Sequence, residues 1–300
     1  MHSWSGPRQN APILSTPDHH RIEATPRRSR WRRIALVALL ATLAWAVSAY
    51  LLLPLAVRHY EHQKSLAGME MVTRTSLGVA GDPLNVGIVG SRDELVASMS
   101  AAGWFPADAV TLRSGVDIVG SVLLDRPYAH APVSPLFYQG RQQDLAFEKA
   151  VGRSADRRQH VRFWNVLASG AEGRPVWLGS ASLDVGVGLS HYTGAVTHAI
   201  APDVDTMRDT LSQDLAATGR IVEVYEVTGV GPTLQARNGE GDRYFTDGEI
   251  RFSVIAGPGM SGHDPPPALP NPPLVDLKNT LWRSFAPDGG PATPDHYPPR

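Results

Sequence analysis

From Ile34 to Val57 the chain runs for 24 residues without a charge, and only Thr42, Ser48, Tyr50 and Pro54 depart from an aliphatic or tryptophan composition. At about 1.5 Å rise per residue such a helix covers roughly 36 Å, enough to cross a hydrocarbon layer of about 30 Å with modest tilt. A helix that packs on a soluble core keeps a polar face. This run has none, so residues 34–57 are expected to form one transmembrane helix.

The flanks give the segment a direction. Five arginines occupy the seven positions from Arg27 to Arg33, whereas the far side offers Arg58, His59, Glu61 and Lys64 of mixed sign. Basic flanks stay on the cytoplasmic side. The N-terminus is therefore expected in the cytoplasm, with the main domain beyond the inner (plasma) membrane, periplasmic or extracellular. A cleaved signal peptide is the competing reading, because Val47-Ser48-Ala49 would suit a peptidase. The apolar stretch continues to Val57, longer than the roughly 7 to 15 residues of a signal core, which favours retention. Residues 1–33 read as a basic, disordered tail broken by Pro7, Pro12, Pro17 and Pro26.

That tail carries a net charge of +5, which leaves −6 on the remaining 267 residues. A nucleic-acid binder concentrates lysine and arginine on its folded part, so nucleic acid is not an expected partner. The lipid bilayer is one, and an envelope protein or a phospholipid is a second. The absence of cysteine excludes disulfides, thiol nucleophiles and thiolate metal sites.

Residues 58–81 read as a linker, 82–257 as the soluble domain and 258–300 as a tail. Leu84 to Val89 reads as a strand. Ser91 with Glu94 forms a capping-box pattern that opens an amphipathic helix ended by Gly103. A second helix is expected from Thr111. From Leu136 to Leu183 short segments rich in aromatic and branched residues read as antiparallel strands, with His160, Arg162 and Trp164 on one face and Val161 and Phe163 on the other. Val204 to Ala217 is the next helix, followed by strands at Ile221–Val227 and Glu249–Ile255 with an irregular connection between them. Twelve prolines fall between Gly257 and Arg300, where Leu274, Leu277, Leu281 and Phe285 could form one short face that docks on the domain or a partner. The expected fold is α/β (α+β), a mixed and largely antiparallel sheet packed with helices and preceded by one transmembrane helix.

Two polar clusters could carry chemistry. Asp184, His191, His198, Asp203, Asp205 and Arg208 lie within 25 residues. Imidazole and carboxylate are the ligands left to a metal when thiols are absent, and His198, Asp203 and Asp205 are the candidate set. The same groups, with His160, could act as acid or base. The structural alternative makes Asp203 and Asp205 helix-capping residues. The second cluster holds Arg141, Asp144, Arg157, Arg158, His160 and Arg162. Arg141 and Arg162 could receive a phosphate or carboxylate bidentately, or the group could form ion pairs with Asp144 and Glu148. No metalloprotease, nucleophile-elbow, phosphate-loop or dinucleotide motif is present, and no cofactor is assigned.

The segments Pro83-Leu84-Asn85-Val86-Gly87, Ala102-Gly103-Trp104, Pro132 to Phe137, Gly140 to Phe147, His160-Val161-Arg162, Trp177-Leu178-Gly179, Asp184-Val185-Gly186, Thr197 to Ile200 and Pro202 to Asp205 carry a resemblance. The chain from about Pro83 to Ile255 resembles the domain at the C-terminus of LssY-type bacterial membrane proteins. Such domains are of unknown activity and are sometimes joined to lipid-phosphatase-like or DedA-like membrane regions. The resemblance implies a role at the cell envelope, as a structural or ligand-binding module or as a hydrolase of phosphorylated or lipid-like substrates. His198-Ala199 stands where related sequences carry two adjacent histidines.

Overall fold

In the computed structural model, the described residues are 27–53, 55, 61–107, 135–151, 158–189, 196–229 and 233–285. The helix expected from Thr111 lies outside them. The chain divides into two compact units, one ending at Pro54 and the other beginning at Leu55.

The first unit is helical. α1 (Arg27–Val47) runs into a π-helical turn, Ser48–Leu52, and Arg30–Leu52 is long and apolar enough to cross a membrane. The hydroxyl of Thr42 donates to the carbonyl of Ala38 at 2.9 Å, so this polar group inside the apolar run is satisfied within the helix.

The second unit contains the strands β1 (Val72–Arg74), β2 (Ala80–Pro83), β3 (Val86–Val89), β4 (Phe105–Pro106), β5 (Phe137–Tyr138), β6 (Arg141–Gln142) and β7 (Leu145–Ala150). These are followed by β8 (Arg158–Leu167), β9 (Val176–Leu189), β10 (Val196–Ile200), β11 (Ile221–Thr228), β12 (Thr233–Arg237), β13 (Arg243–Thr246) and β14 (Glu249–Ile255). Among the described residues three α-helices accompany the strands: α2 (Arg92–Ala101), α3 (Val204–Ala216) and α4 (Pro273–Phe285). The main sheet has the order β11-β14-β3-β9-β8-β7-β4, with β10 paired to the far half of β9. β14 and β3 run parallel; the other pairings in it are antiparallel. The mixed, antiparallel-rich sheet with helices matches the class expected of the sequence.

Alternation along the strands separates two faces. On one, Leu145, Phe147, Val161, Phe163, Ala181 and Leu183 pack under α2 and α3, which contribute Leu95, Met99, Met207, Leu211 and Leu215. On the other, Trp164, Leu178, Tyr225 and Phe252 pack with Leu66, Leu84, Leu136 and Tyr138. Local signals start both helices as their sequences suggest. Ser91 accepts from the Glu94 amide while the Glu94 carboxylate accepts from the Ser91 amide, and Asp203 accepts from the amides of Asp205 and Thr206.

Three segments differ from the sequence reading. Within the stretch read as a linker, Gln63 and Leu66 are buried and Gln63 donates to the Tyr225 hydroxyl at 2.7 Å. The connection between β11 and β14 contains the antiparallel pair β12–β13. The C-terminal helix forms, but it docks through Val275 and Lys278 rather than through its leucines. On α3, Asp214 accepts from the Trp104 indole at 3.0 Å and from Lys149 at 2.7 Å.

Candidate functional site

The second face of the sheet is apolar at one end and polar at the other. Register places Glu148 of β7 opposite His160 of β8, and His160 opposite Ser182 of β9. Two residues on, Arg162 pairs with Ser180; two residues back, Arg158 pairs with Asp184. Side chains two apart share a face, so these residues form one polar stripe across three neighbouring strands. Glu148, His160, Arg162, Ser180, Ser182 and Asp184 are all buried.

His160 is held at both ends of its ring. Nδ1 lies 2.9 Å from an oxygen of Asp184, and Nε2 lies 3.4 Å from an oxygen of Glu148. Burial alone would depress the imidazole pKa, but the bonds to the two carboxylates outweigh it and raise the pKa above its usual value. Arg158 also reaches Glu148, at 3.2 Å, so the stripe is a chain of alternating charge. Asp82 joins it through the field of Arg162 and accepts from the Asn238 amide at 3.0 Å. Burial pushes the Asp82 carboxyl up against the opposing effects of Arg162 and Asn238.

A carboxylate at Nδ1 is the geometry that orients a catalytic base. Here the other nitrogen, the one a substrate or nucleophile would need, faces Glu148. The two carboxylates also sit on opposite sides of the ring, so the three groups do not converge on one point. Among the described residues no group of three histidine, aspartate or glutamate side chains is arranged to hold a metal ion.

A second polar centre lies where α3 begins. Asp203 caps the helix, one oxygen accepting from the amides of Asp205 and Thr206 and the other from the Thr206 hydroxyl at 2.8 Å. Asp205 accepts from the Thr246 hydroxyl and from the Asp247 amide, both at 2.7 Å. Arg208 is buried beneath it and binds both oxygens of Asp247, at 2.7 and 3.1 Å, and the Glu249 carbonyl at 3.0 Å. Burial raises the Asp205 pKa, and the neighbouring Asp247 adds to the rise against the pull of Arg208. For Asp247 the balance goes the other way: Arg208 overcomes burial and holds its carboxyl low. In this geometry the carboxylates of Asp203 and Asp205 are engaged in capping and in tying α3 to the β13–β14 turn.

The structure thus brings together His160, Asp184 and Arg162 in one centre, and Asp203, Asp205 and Arg208 in another. Arg141 stands apart, with Asp144 at 3.2 Å and the Asn165 carbonyl at 2.9 Å, as the ion-pair alternative anticipated. The backbone of His198 pairs with Val187 on β10, while its side chain, and all of His191 and Arg157, lie outside what is described. Asp82, Asn238, Asp247 and Glu249 were not singled out from the sequence. Each acts across a long sequence separation, and no local pattern reports it.

No curated protein and no solved structure shows a significant match to this chain. The model of one family, described as LssY C-terminus, matches residues 64–250. That span takes in the main sheet up to the first residues of β14, both helices packed on it, and the two polar centres; the chain belongs to the LssY C-terminus family.

Proposed function

We propose that this protein is a single-pass membrane protein, its N-terminus cytoplasmic, that displays an LssY C-terminus domain on the far side of the inner membrane as a non-catalytic structural or binding module. An envelope protein or a phospholipid is its partner. The observation that carries this reading is the clamp on His160: both ring nitrogens face carboxylates of the same domain, 2.9 and 3.4 Å away. A general base needs one nitrogen directed at the reacting proton. A group already bonded on both sides instead ties β7, β8 and β9 together. The engaged oxygens of Asp203 and Asp205 point the same way. The N-terminal helix supplies the membrane part, through its length, its lack of charge and the arginines before it.

The test uses the full chain purified in detergent. Metal content is measured, hydrolysis of a chromogenic phosphate ester is followed, and a reporter active only outside the cytoplasm is fused after residue 300. The expected result is no stoichiometric metal, no turnover and an active reporter. Turnover abolished by Asp203→Asn with Asp205→Asn would establish the hydrolase alternative through His198, Asp203 and Asp205. An inactive reporter would overturn the orientation.

A further inference from the structure

Helix α4 has two neighbouring faces, and the domain binds the less apolar one. Val275 is buried, and the Lys278 ammonium donates to the Asp247 carbonyl at 3.0 Å and to the carboxylate of Glu249. Leu274, Leu277 and Leu281, spaced three and four residues apart, make one stripe along the helix. They are 42, 55 and 53 % exposed. A turn of the helix about its own axis by roughly a quarter would bury them against the domain. The pair between Lys278 and Glu249, whose side chain has no exposure, holds the helix in the rotation that leaves the leucines outward.

Chain connectivity decides what lies outside them. The carboxylate of Glu61 accepts from the Thr228 amide at 3.0 Å. Thr228 is paired in register with Glu249, on strands that lie about 4.8 Å apart. The chain therefore enters the domain at the same corner of the sheet that holds α4. From Val57, the last residue of the apolar run, to Glu61 is four residue steps, at most about 14 Å of chain. If residues 34–57 span a membrane, that length of chain is all that separates this corner of the sheet from the end of the span.

We propose that α4 is a second membrane contact, an interfacial helix that lays Leu274, Leu277 and Leu281 into the headgroup and acyl boundary. The proposal rests on the reading of the N-terminal helix as an anchor. Helices of this kind lie in the interface plane with their apolar face buried about 5 to 10 Å deep. Together with the anchor, α4 makes a two-point attachment that stops the domain swivelling and sets which of its surfaces faces the lipid. A second copy of the chain is the competing occupant of the leucine stripe, and the short tether favours lipid over it.

The chain has no cysteine, so single labels can be placed without background. Full-length Leu51→Cys, Leu277→Cys, Leu281→Cys and Arg220→Cys variants are labelled with an environment-sensitive fluorophore. They are reconstituted in phosphatidylethanolamine and phosphatidylglycerol vesicles with or without brominated acyl chains. Arg220 is exposed and adjoins the end of β11 far from Thr228. The expected result is blue-shifted emission, lost to bromine, at 51, 277 and 281, and no loss at 220. Loss at 51 alone would overturn the α4 contact and leave the anchor standing. Loss at none of the positions, with the chain recovered outside the vesicles, would overturn both. Unquenched label at 277 whose emission changes with protein-to-lipid ratio would assign the stripe to a second copy instead.

Discussion

Replacing Asp184 by asparagine removes one charge from the clamp on His160 and keeps the side-chain shape. Losing one partner of a buried ion pair costs about 3 to 5 kcal/mol, because the charge left behind stays in a low dielectric. Glu148 still faces Nε2 at 3.4 Å, which argues for the lower end, about 3 kcal/mol. In a folded unit of this size each kcal/mol moves Tm by about 2 to 4 °C, so the expected drop is about 6 to 12 °C. The loss depends on pH in a defined direction. The folded pKa of His160 is raised above its usual value of about 6.5 by the two carboxylates. Protonation therefore contributes stability that is complete below about pH 6.5 and lost as pH rises through the folded pKa, with a slope of at most about 1.4 kcal/mol per pH unit. The gap between wild type and Asp184→Asn should be widest near pH 6 and narrow toward alkaline pH. Tryptophan emission during heating of the full chain in detergent reads this directly, since Trp164 and Trp177 are buried on β8 and β9. A double-mutant cycle with His160→Gln should show non-additive losses. A variant melting within about 1 °C of wild type at every pH would refute the clamp.

Three further outcomes are expected. Asn85→Ala removes a side chain that donates to the carbonyls of Ala181 and Val204, both at 3.0 Å, and accepts from the Ala181 amide at 2.9 Å. Leaving those buried groups unpaired should cost at least about 3 kcal/mol, read as a lower urea midpoint, and an unchanged midpoint would contradict the bonding. Glu249 has its pKa pushed up to about 7 by burial, against the pull of Lys278. Wild type should therefore lose roughly 3 kcal/mol between about pH 4.5 and 7 that Glu249→Gln does not lose, and parallel stability profiles would dismiss this. At Gly87 an added methyl would lie 2.4 Å from the Phe252 ring. Gly87→Ala should destabilise by about 1 to 3 kcal/mol, part of it recovered by adding Phe252→Leu; equal stability of single and double variants would refute the clash.

Helix starts were legible because the groups that make them are neighbours in sequence. Ser91 and Glu94 cap one another within a single turn, and Asp203 binds amides two and three residues ahead. The faces of β8 were legible for the same reason, since alternation needs no knowledge of the partner strand. The entry segment was harder. Gln63 is buried through bonds to Tyr225 and Glu172, and a polar residue in a polar stretch gives no hint of that. Helix α4 shows the limit most plainly. Its leucine stripe was visible, but the stripe alone leaves open whether the domain or a partner covers it, and the Lys278–Glu249 pair holds the helix with the leucines outward.

Local residue preferences are enough to specify the long apolar segment, the capped helices and the alternating strands, because each depends on residues within a few positions of one another. That His160 meets Asp184 and Glu148, that Arg208 meets Asp247, and that the leucines of α4 stay exposed follows from the folded arrangement alone. Those contacts depend on strand order and register, which are selected by burial summed over the whole sheet and leave no mark on any short stretch of chain.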